Sequence, residues 1–431
     1  MLRRLYSLAA DVAGPPLALA AALKGRFGGR WRAQLGLRLY PARLPHRPRL
    51  WFHGASVGEA RSAGAVIRAL LARRPDAEIF LSVGTPAGLK AAEDVFADER
   101  RVTVIAPPLD FWASPRRALS RMRPDALIIL ETELWPNLIY ETRRAGVKLV
   151  LAAARLSERS FKRYRLVSGF TARMLESFDL IAPSGSKEAE LYQALGAPPK
   201  RLKILGSPKF DNLLAEAQSP DFEARRLAWA EKLGRTDNAE PLIVAGSTHP
   251  GEEEILLAAF KNLEQPATLL IAPRHLGRTP EALKLAQSAG LEAALASGGG
   301  AASARVIVLD TVGQLPVLYA LADAAIVGGS LRAGLAGHNP LEPAAVARPI
   351  LFGPWMSSFA REAAGLLECG GAVEVQPETL ATALNTILRD NEKKRRMGEA
   401  ARASLAARPK AAPALAEAVL ELLAADSPAS E

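Results

Sequence analysis

The chain has 431 residues, 49% of them apolar and 23% charged, which excludes a disordered chain and exceeds one ordinary core, so two or three domains are expected. A single cysteine, Cys369, excludes a disulfide framework and a cysteine-based metal site, and fits a reducing compartment. Fifty-five Lys and Arg against 45 Asp and Glu leave a net charge of +10, which favours anionic partners, yet no run of five or six like charges marks a nucleic-acid arm.

Residues 5–23 are apolar apart from Asp11 and a central Pro15-Pro16 pair, and Arg3, Arg4, Lys24, Arg26, Arg30 and Arg32 flank them. A spanning helix needs about 20 clean apolar residues, for which this proline-kinked segment is marginal, and no small-residue cleavage site marks a removable signal. The preferred reading of residues 1–30 is an interfacial anchor with cytoplasmic basic flanks. A buried helix of the first domain competes with it.

Short apolar runs then alternate with helical spacing. Strands are expected at residues 50–53, 78–83, 102–106, 126–130, 148–152 and 180–182, with helices such as 58–71 and 136–144 between them. The theme repeats at 241–245, 268–272, 305–309, 324–327, 349–352 and 372–375. Such alternation implies parallel sheets covered on both faces. Two series joined near residues 212–222, where Ser219-Pro220 lies, predict two doubly wound α/β domains, residues 31–211 and 212–431. Ligands are expected at the carboxyl ends of the strands, in a central cleft that the domains face. Residues 294–304 read as a Gly/Ala/Ser loop without evident chemistry, and the Ala/Leu-rich stretch 411–425 as a helix closing the second domain.

The first chemistry-bearing stretch is His53-Gly54-Ala55-Ser56-Val57-Gly58-Glu59, running from a strand through a glycine turn into a helix. Glu59 there either takes a proton from an acceptor hydroxyl or merely complements the helix dipole. The same stretch matches G-x-S-x-G, with Ser56 as nucleophile and His249, His275 or His338 completing a triad. That context is poor for a serine hydrolase, because the match sits on the first strand and the second half forms a separate sheet.

Glu131-Thr132-Glu133-Leu134-Trp135 follows a strand, and carboxylates two apart on an extended chain diverge, so one of the two is expected to reach a ligand. No D-x-D pair follows a strand, so no metal is expected and cations must neutralise a leaving phosphate. Lys209, Arg155 and Arg274 are the candidates. Ser247, Thr248 and His249 offer donors after the first strand of the second domain, and the turn at Val312, Gly313 and Gln314 offers backbone groups to a pyrimidine.

The most informative stretch is Gly337-His338-Asn339-Pro340-Leu341-Glu342-Pro343, where a glycine loop opens a helix. A helix start presents unpaired N–H groups to a phosphate, Asn339 caps it, and Glu342 is placed to accept from a sugar hydroxyl pair. An ordinary Asn-x-x-Glu capping box is the alternative.

Taken in order, residues 53–59, 131–137, 154–160, 206–211, 247–253, 272–275, 310–315, 328–330 and 337–342 resemble the Kdo (3-deoxy-D-manno-octulosonic acid) transferases of lipopolysaccharide assembly. The resemblance covers nearly the whole chain. It implies a GT-B glycosyltransferase with two Rossmann-like domains, taking CMP-Kdo as donor and a lipid A precursor as acceptor, inverting the anomeric carbon. It further implies action at the cytoplasmic face of the inner membrane, on an anionic surface, without cofactor, metal or nucleic acid. By motif position Glu59 is the proton acceptor, and Glu131 and Lys209 stabilise the transition state. Pro273, Arg274, Val312, Gly313, Gln314, Asn339, Pro340, Leu341 and Glu342 contact CMP, and Ser56, Arg155, Ser247, Thr248 and His249 are further donor contacts. A UDP-sugar transferase of the same fold is the alternative. The chain departs from the family pattern at Ala153 and Ser358, where asparagine is common, and at Pro250, where an acidic residue often stands.

Overall fold

The computed structural model describes residues 31–425 apart from 42, 43, 45, 46, 112, 237 and 238, together with Tyr6, Ala10 and Val12. The expected anchor in residues 1–30 lies outside the described residues except at those three positions. No described helix is long and apolar enough to cross a membrane.

The chain forms two compact units. The first comprises the described residues up to Asp211 and again from Pro409 onward; the second runs from Asn212 to Arg408. In the first, β1 (Arg49–Gly54), β2 (Glu78–Val83), β3 (Val102–Ile105), β4 (Ala126–Leu130), β5 (Lys148–Ala154) and β6 (Leu180–Pro183) form one sheet in the order 3-2-1-4-5-6. All its pairings are parallel. The order reverses between β1 and β4, so the carboxyl ends of these two strands flank the switch point at which doubly wound sheets bind ligands. Val66, Ile67 and Leu70 from the helix Val57–Arg73 cover one face with Leu50 and Ile128. Leu138, Ile139 and Phe178 cover the other with Trp51 and Ile129. Strands buried on both faces must be apolar at successive positions, which is why β4 reads Ala-Leu-Ile-Ile-Leu.

In the second unit β7 (Leu242–Thr248), β8 (Thr268–Pro273), β9 (Ala293–Leu295), β10 (Val306–Val308), β11 (Ala324–Val327), β12 (Ile350–Phe352) and β13 (Ala372–Glu374) pair in parallel in the order 13-12-11-7-8-10-9. The switch point falls between β7 and β11.

Two expectations need correction. The helix Ala411–Ala424 does not close the second unit. Its Leu415, Ala416 and Val419 are fully buried in the core of the first, against the helix Val57–Arg73. Its start is held by Asp211, whose carboxylate accepts from the amides of Ala411 (3.1 Å) and Ala412 (2.5 Å). The stretch 294–304 is not wholly loop either, since Ala293–Leu295 adds an edge strand beside β10. Asp310 secures the chain just beyond that strand by accepting from the amide and hydroxyl of Ser297.

Candidate active site

In the first unit the turn after β1 carries Glu59. Ser56 is the N-cap of the helix Val57–Arg73, accepting from the Glu59 amide at 3.2 Å in a complete capping box. The Glu59 side chain folds back over the turn. Oε2 accepts from the amides of Ala55 and Ser56, and Oε1 from the Ser56 hydroxyl at 3.2 Å. Gly54 makes room for this, because a β-carbon there would stand 3.0 Å from the Glu59 β-carbon. The carboxylate is thus buried, fixed in direction and left with a spare lone pair on Oε1. The Lys209 ammonium lies 3.9 Å from where a Gly58 β-carbon would stand, carried there by the turn Pro208–Phe210.

Glu131 stands at the end of β4 with φ +55°, a left-handed conformation that a non-glycine residue adopts at a cost of about 1–3 kcal/mol. The chain turns here, so the alternation of an extended strand does not carry through residues 131–133. Burial and then the Glu59 charge hold the Glu131 carboxyl above the usual carboxylate range, while Arg155 and Lys209 pull it back. Glu133 also feels Glu59 and Glu131, but burial raises it most and its Oε2 accepts the Trp135 indole N–H at 2.8 Å. Arg155 is located by its own carbonyl, which accepts from Thr132 Oγ1 (2.7 Å) and the Tyr192 hydroxyl (3.1 Å). Glu59, Glu131, Arg155 and Lys209 are therefore gathered at one end of the first sheet. Beneath them His53 is fully buried and pushed down to about 3 by that burial, so it is neutral; its Nδ1 meets Ser82 Oγ at 2.9 Å. Ala153, where the family pattern has asparagine, has φ +51°, a conformation asparagine tolerates better than alanine.

The Ser56 hydroxyl is engaged with Glu59 on both sides, and its unit holds a six-stranded sheet separate from the seven-stranded one that carries His249, His275 and His338. The hydrolase reading fails on this count. The capping-box signature Ser-x-x-Glu was present in the sequence and is what this segment builds.

In the second unit the ends of β7 and β11 meet closely, a β-carbon on Gly328 falling 2.5 Å from the Ser247 carbonyl oxygen, and Ser247 itself has φ +59°. The Thr248 hydroxyl is buried and donates to Glu253 Oε1 at 2.8 Å, so it is not a free ligand donor. Arg278 meets the same oxygen at 2.9 Å. Pro273 ends β8 and is buried, while Arg274 beyond it is exposed, its amide bonded to the Thr248 carbonyl. Val312 and Gly313 form an exposed turn, with φ +79° at Gly313, and Gln314 Oε1 accepts the Trp229 indole N–H at 2.9 Å. Asn339 Oδ1 accepts from the Leu341 amide at 3.0 Å, and its Nδ2 donates to Glu342 Oε1 at 3.2 Å. The capping box that was the alternative reading there is not formed, and the helix Leu341–Ala345 has five residues, too few for a strong dipole. Charge for an anion must come from side chains such as Arg274.

Sequence reasoning missed Glu252. Fully buried, it accepts from four amides: His249 (2.9 Å) and Gly329 (2.7 Å) at Oε2, Ser330 (3.0 Å) and Leu331 (2.9 Å) at Oε1. One carboxylate thereby joins the loops after β7 and β11. Among the described residues no group of three or more His, Cys, Asp or Glu is arranged to hold a metal ion.

A family profile described as 3-Deoxy-D-manno-octulosonic-acid transferase (kdotransferase) matches residues 29–212. The 3-deoxy-D-manno-octulosonic acid transferase of Bordetella pertussis is 34% identical, over 89% of this chain and 90% of its own. That of Haemophilus influenzae is 32% identical over 83% of each. Among solved structures, a glycosyltransferase from Rickettsia africae aligns over 89% of this chain and all of its own, with TM-score 0.64 at 12% identity. The Anabaena protein Alr3699/HepE, solved with UDP, aligns over 88% of this chain and all of its own, with TM-score 0.61 at 16% identity. These two share the fold, and the curated relatives fix the lineage: the chain belongs to the 3-deoxy-D-manno-octulosonic acid (Kdo) transferase family, glycosyltransferases of the GT-B type.

Proposed function

We propose that this enzyme moves Kdo from CMP-Kdo to a hydroxyl of a lipid A precursor, with inversion, and that Glu59 is the general base. The acceptor oxygen bonds to the anomeric carbon, the bond from that carbon to the CMP oxygen breaks, Glu59 takes the hydroxyl proton, and CMP leaves as an anion. The observation that carries this is the fixed Glu59 carboxylate, with a spare lone pair, beside Glu131, Arg155 and Lys209. A donor bearing a carboxylate and a phosphodiester develops charge that cations stabilise, so the reaction needs neither metal nor cofactor in this scheme. Lys209 and Glu131 stabilise the transition state, and Arg274 with the turn at Val312, Gly313 and Gln314 and the stretch Asn339 to Glu342 holds CMP.

Glu59→Gln tests the base. Glutamine still completes a capping box, so the helix start survives at a cost of about 0.3–1 kcal/mol. General-base catalysis is worth about 10²–10⁴-fold, and single-turnover transfer should fall by that factor with CMP affinity unchanged. Near-normal transfer by the variant would remove Glu59 from the role and leave Glu131 as the next candidate.

The net charge of +10 and the basic flanks of residues 5–23 support action on an anionic surface at the cytoplasmic face of the inner membrane. Co-sedimentation with anionic vesicles that weakens with salt is the expected result; equal binding to neutral vesicles would contradict it.

A further inference from the structure

The loops after β7 and β11 bring two histidines together. His249 follows Thr248, and its amide is fixed by Glu252. His338 sits on the loop whose backbone is bound to Gly328 and Gly329, the His338 amide donating to the Gly328 carbonyl (3.1 Å) and the Gly337 amide to the Gly329 carbonyl (2.7 Å). Gly329 is itself fixed by Glu252, and a β-carbon on it would stand 2.8 Å from His338 Cδ2. The two rings lie in parallel planes, 1° apart in orientation, with His249 Nε2 and His338 Nε2 separated by 2.8 Å. Two imidazole nitrogens at that distance require one N–H between them, so one ring donates and the other accepts. A doubly protonated pair is excluded at this separation.

The surroundings set the charge. Burial, then His249, Arg274 and His275 push His338 down to about 4, which keeps it neutral in the unliganded protein at neutral pH. His275 lies edge-on to His249, with ring centroids 6.3 Å apart. The nearby carboxylates are already engaged. Glu252 serves four backbone amides, Glu253 serves Thr248 and Arg278, and Glu342 accepts from the Asn339 side-chain amide. Arg332 is held by the Pro250 carbonyl at 2.5 Å. The charges that act on His338, those of His249, Arg274 and His275, all oppose its protonation, and an incoming anion is what relieves that repulsion. We propose that the His249–His338 pair is a protonation-linked anion site, taking up one proton when the phosphate of a cytidine nucleotide binds beside Arg274.

The pair rests on the proposed CMP site, and deepens it by naming which groups meet the phosphate and how pH enters. It then has one positive charge to set against the phosphodiester while Arg274 supplies another. By linkage, a site that binds a proton more tightly when occupied binds its ligand more tightly as pH falls.

Titration calorimetry of the full chain with cytidine 5′-(methyl phosphate) tests it, because this diester has no titrating group between pH 5 and 8. In two buffers of different ionisation enthalpy, the wild-type protein should take up a fraction of a proton per ligand bound, rising as pH falls from 8 towards 6. Its affinity should climb over the same range, by up to tenfold per unit at the steepest. His338→Gln should bind with nearly pH-independent affinity and no proton uptake, and His249→Gln, on a separate loop, should do the same should the first variant fold poorly. Binding by the wild type without proton uptake, or uptake that persists in both variants, would overturn the pair. Failure of the wild type to bind any cytidine phosphate would instead refute the donor assignment, and the pair with it.

Discussion

Replacing Leu415 by alanine probes the least expected feature of the fold, the return of the last helix to the first unit. Leu415 is fully buried among Val66, Leu70 and Ile128 in the same core. Truncating a leucine in such a site removes its transfer energy and leaves a cavity, typically costing 2–5 kcal/mol, against an ordinary domain stability of about 5–15 kcal/mol. Hydrogen exchange followed peptide by peptide separates the two units. At about 1.4 kcal/mol per tenfold, amides of β4 and β5 that exchange by opening their whole unit should exchange about thirtyfold to several-thousand-fold faster, while those of β7 and β8 stay protected. Unchanged exchange in β4 and β5, or acceleration confined to β7 and β8, would refute the assignment. Asp211→Ala should produce the same pattern at about 0.5–2 kcal/mol, as for a lost helix cap. Because Asp211 adjoins the turn carrying Lys209, transfer should fall with it.

On the proposed assignment Arg274→Ala removes a charge-assisted bond to the CMP phosphate worth about 1.5–3 kcal/mol, so CMP affinity should drop about tenfold to a hundredfold; unchanged affinity by calorimetry would take Arg274 out of the site. His53 is held neutral down to about pH 3, whereas an unfolded histidine protonates near 6.5, so its stabilising share is complete above 6.5 and is lost as pH falls towards 3. The unfolding free energy of the wild type relative to His53→Gln should therefore decline by about 1.4 kcal/mol per pH unit below pH 6, and parallel curves would contradict the burial assigned to this ring.

Much of the scaffold was legible because buried parallel strands announce themselves. β2, β4 and β11 have the bounds expected of them, and β4 and β11 are apolar from end to end. β9 escaped because an edge strand of Ala293-Ala294-Leu295, three residues long and only partly buried, lacks the β-branched and bulky residues that mark an interior strand. The last helix was read correctly as a helix and wrongly placed, since composition says that a face will be buried and not against what. At the sites, local chemistry was readable in principle: Ser56-x-x-Glu59 is a capping box on its face, whereas the similar Asn339-x-x-Glu342 closes on itself through the Asn339 side-chain amide. Nothing in the sequence pairs Glu252 with amides 77 to 79 residues away, or His249 with His338 at a separation of 89. Those contacts exist only because β7 and β11 are neighbours across the switch point.

The proposed transfer of Kdo from its CMP donor to a lipid acceptor is measured most directly by combining the purified full chain, CMP-Kdo and a tetraacylated lipid A precursor without added metal. Mass spectrometry of the lipid should show it gaining one or more Kdo residues, with one CMP released for each. An unmodified lipid in the presence of intact, folded enzyme, or transfer from a UDP-sugar in place of CMP-Kdo, would contradict the account.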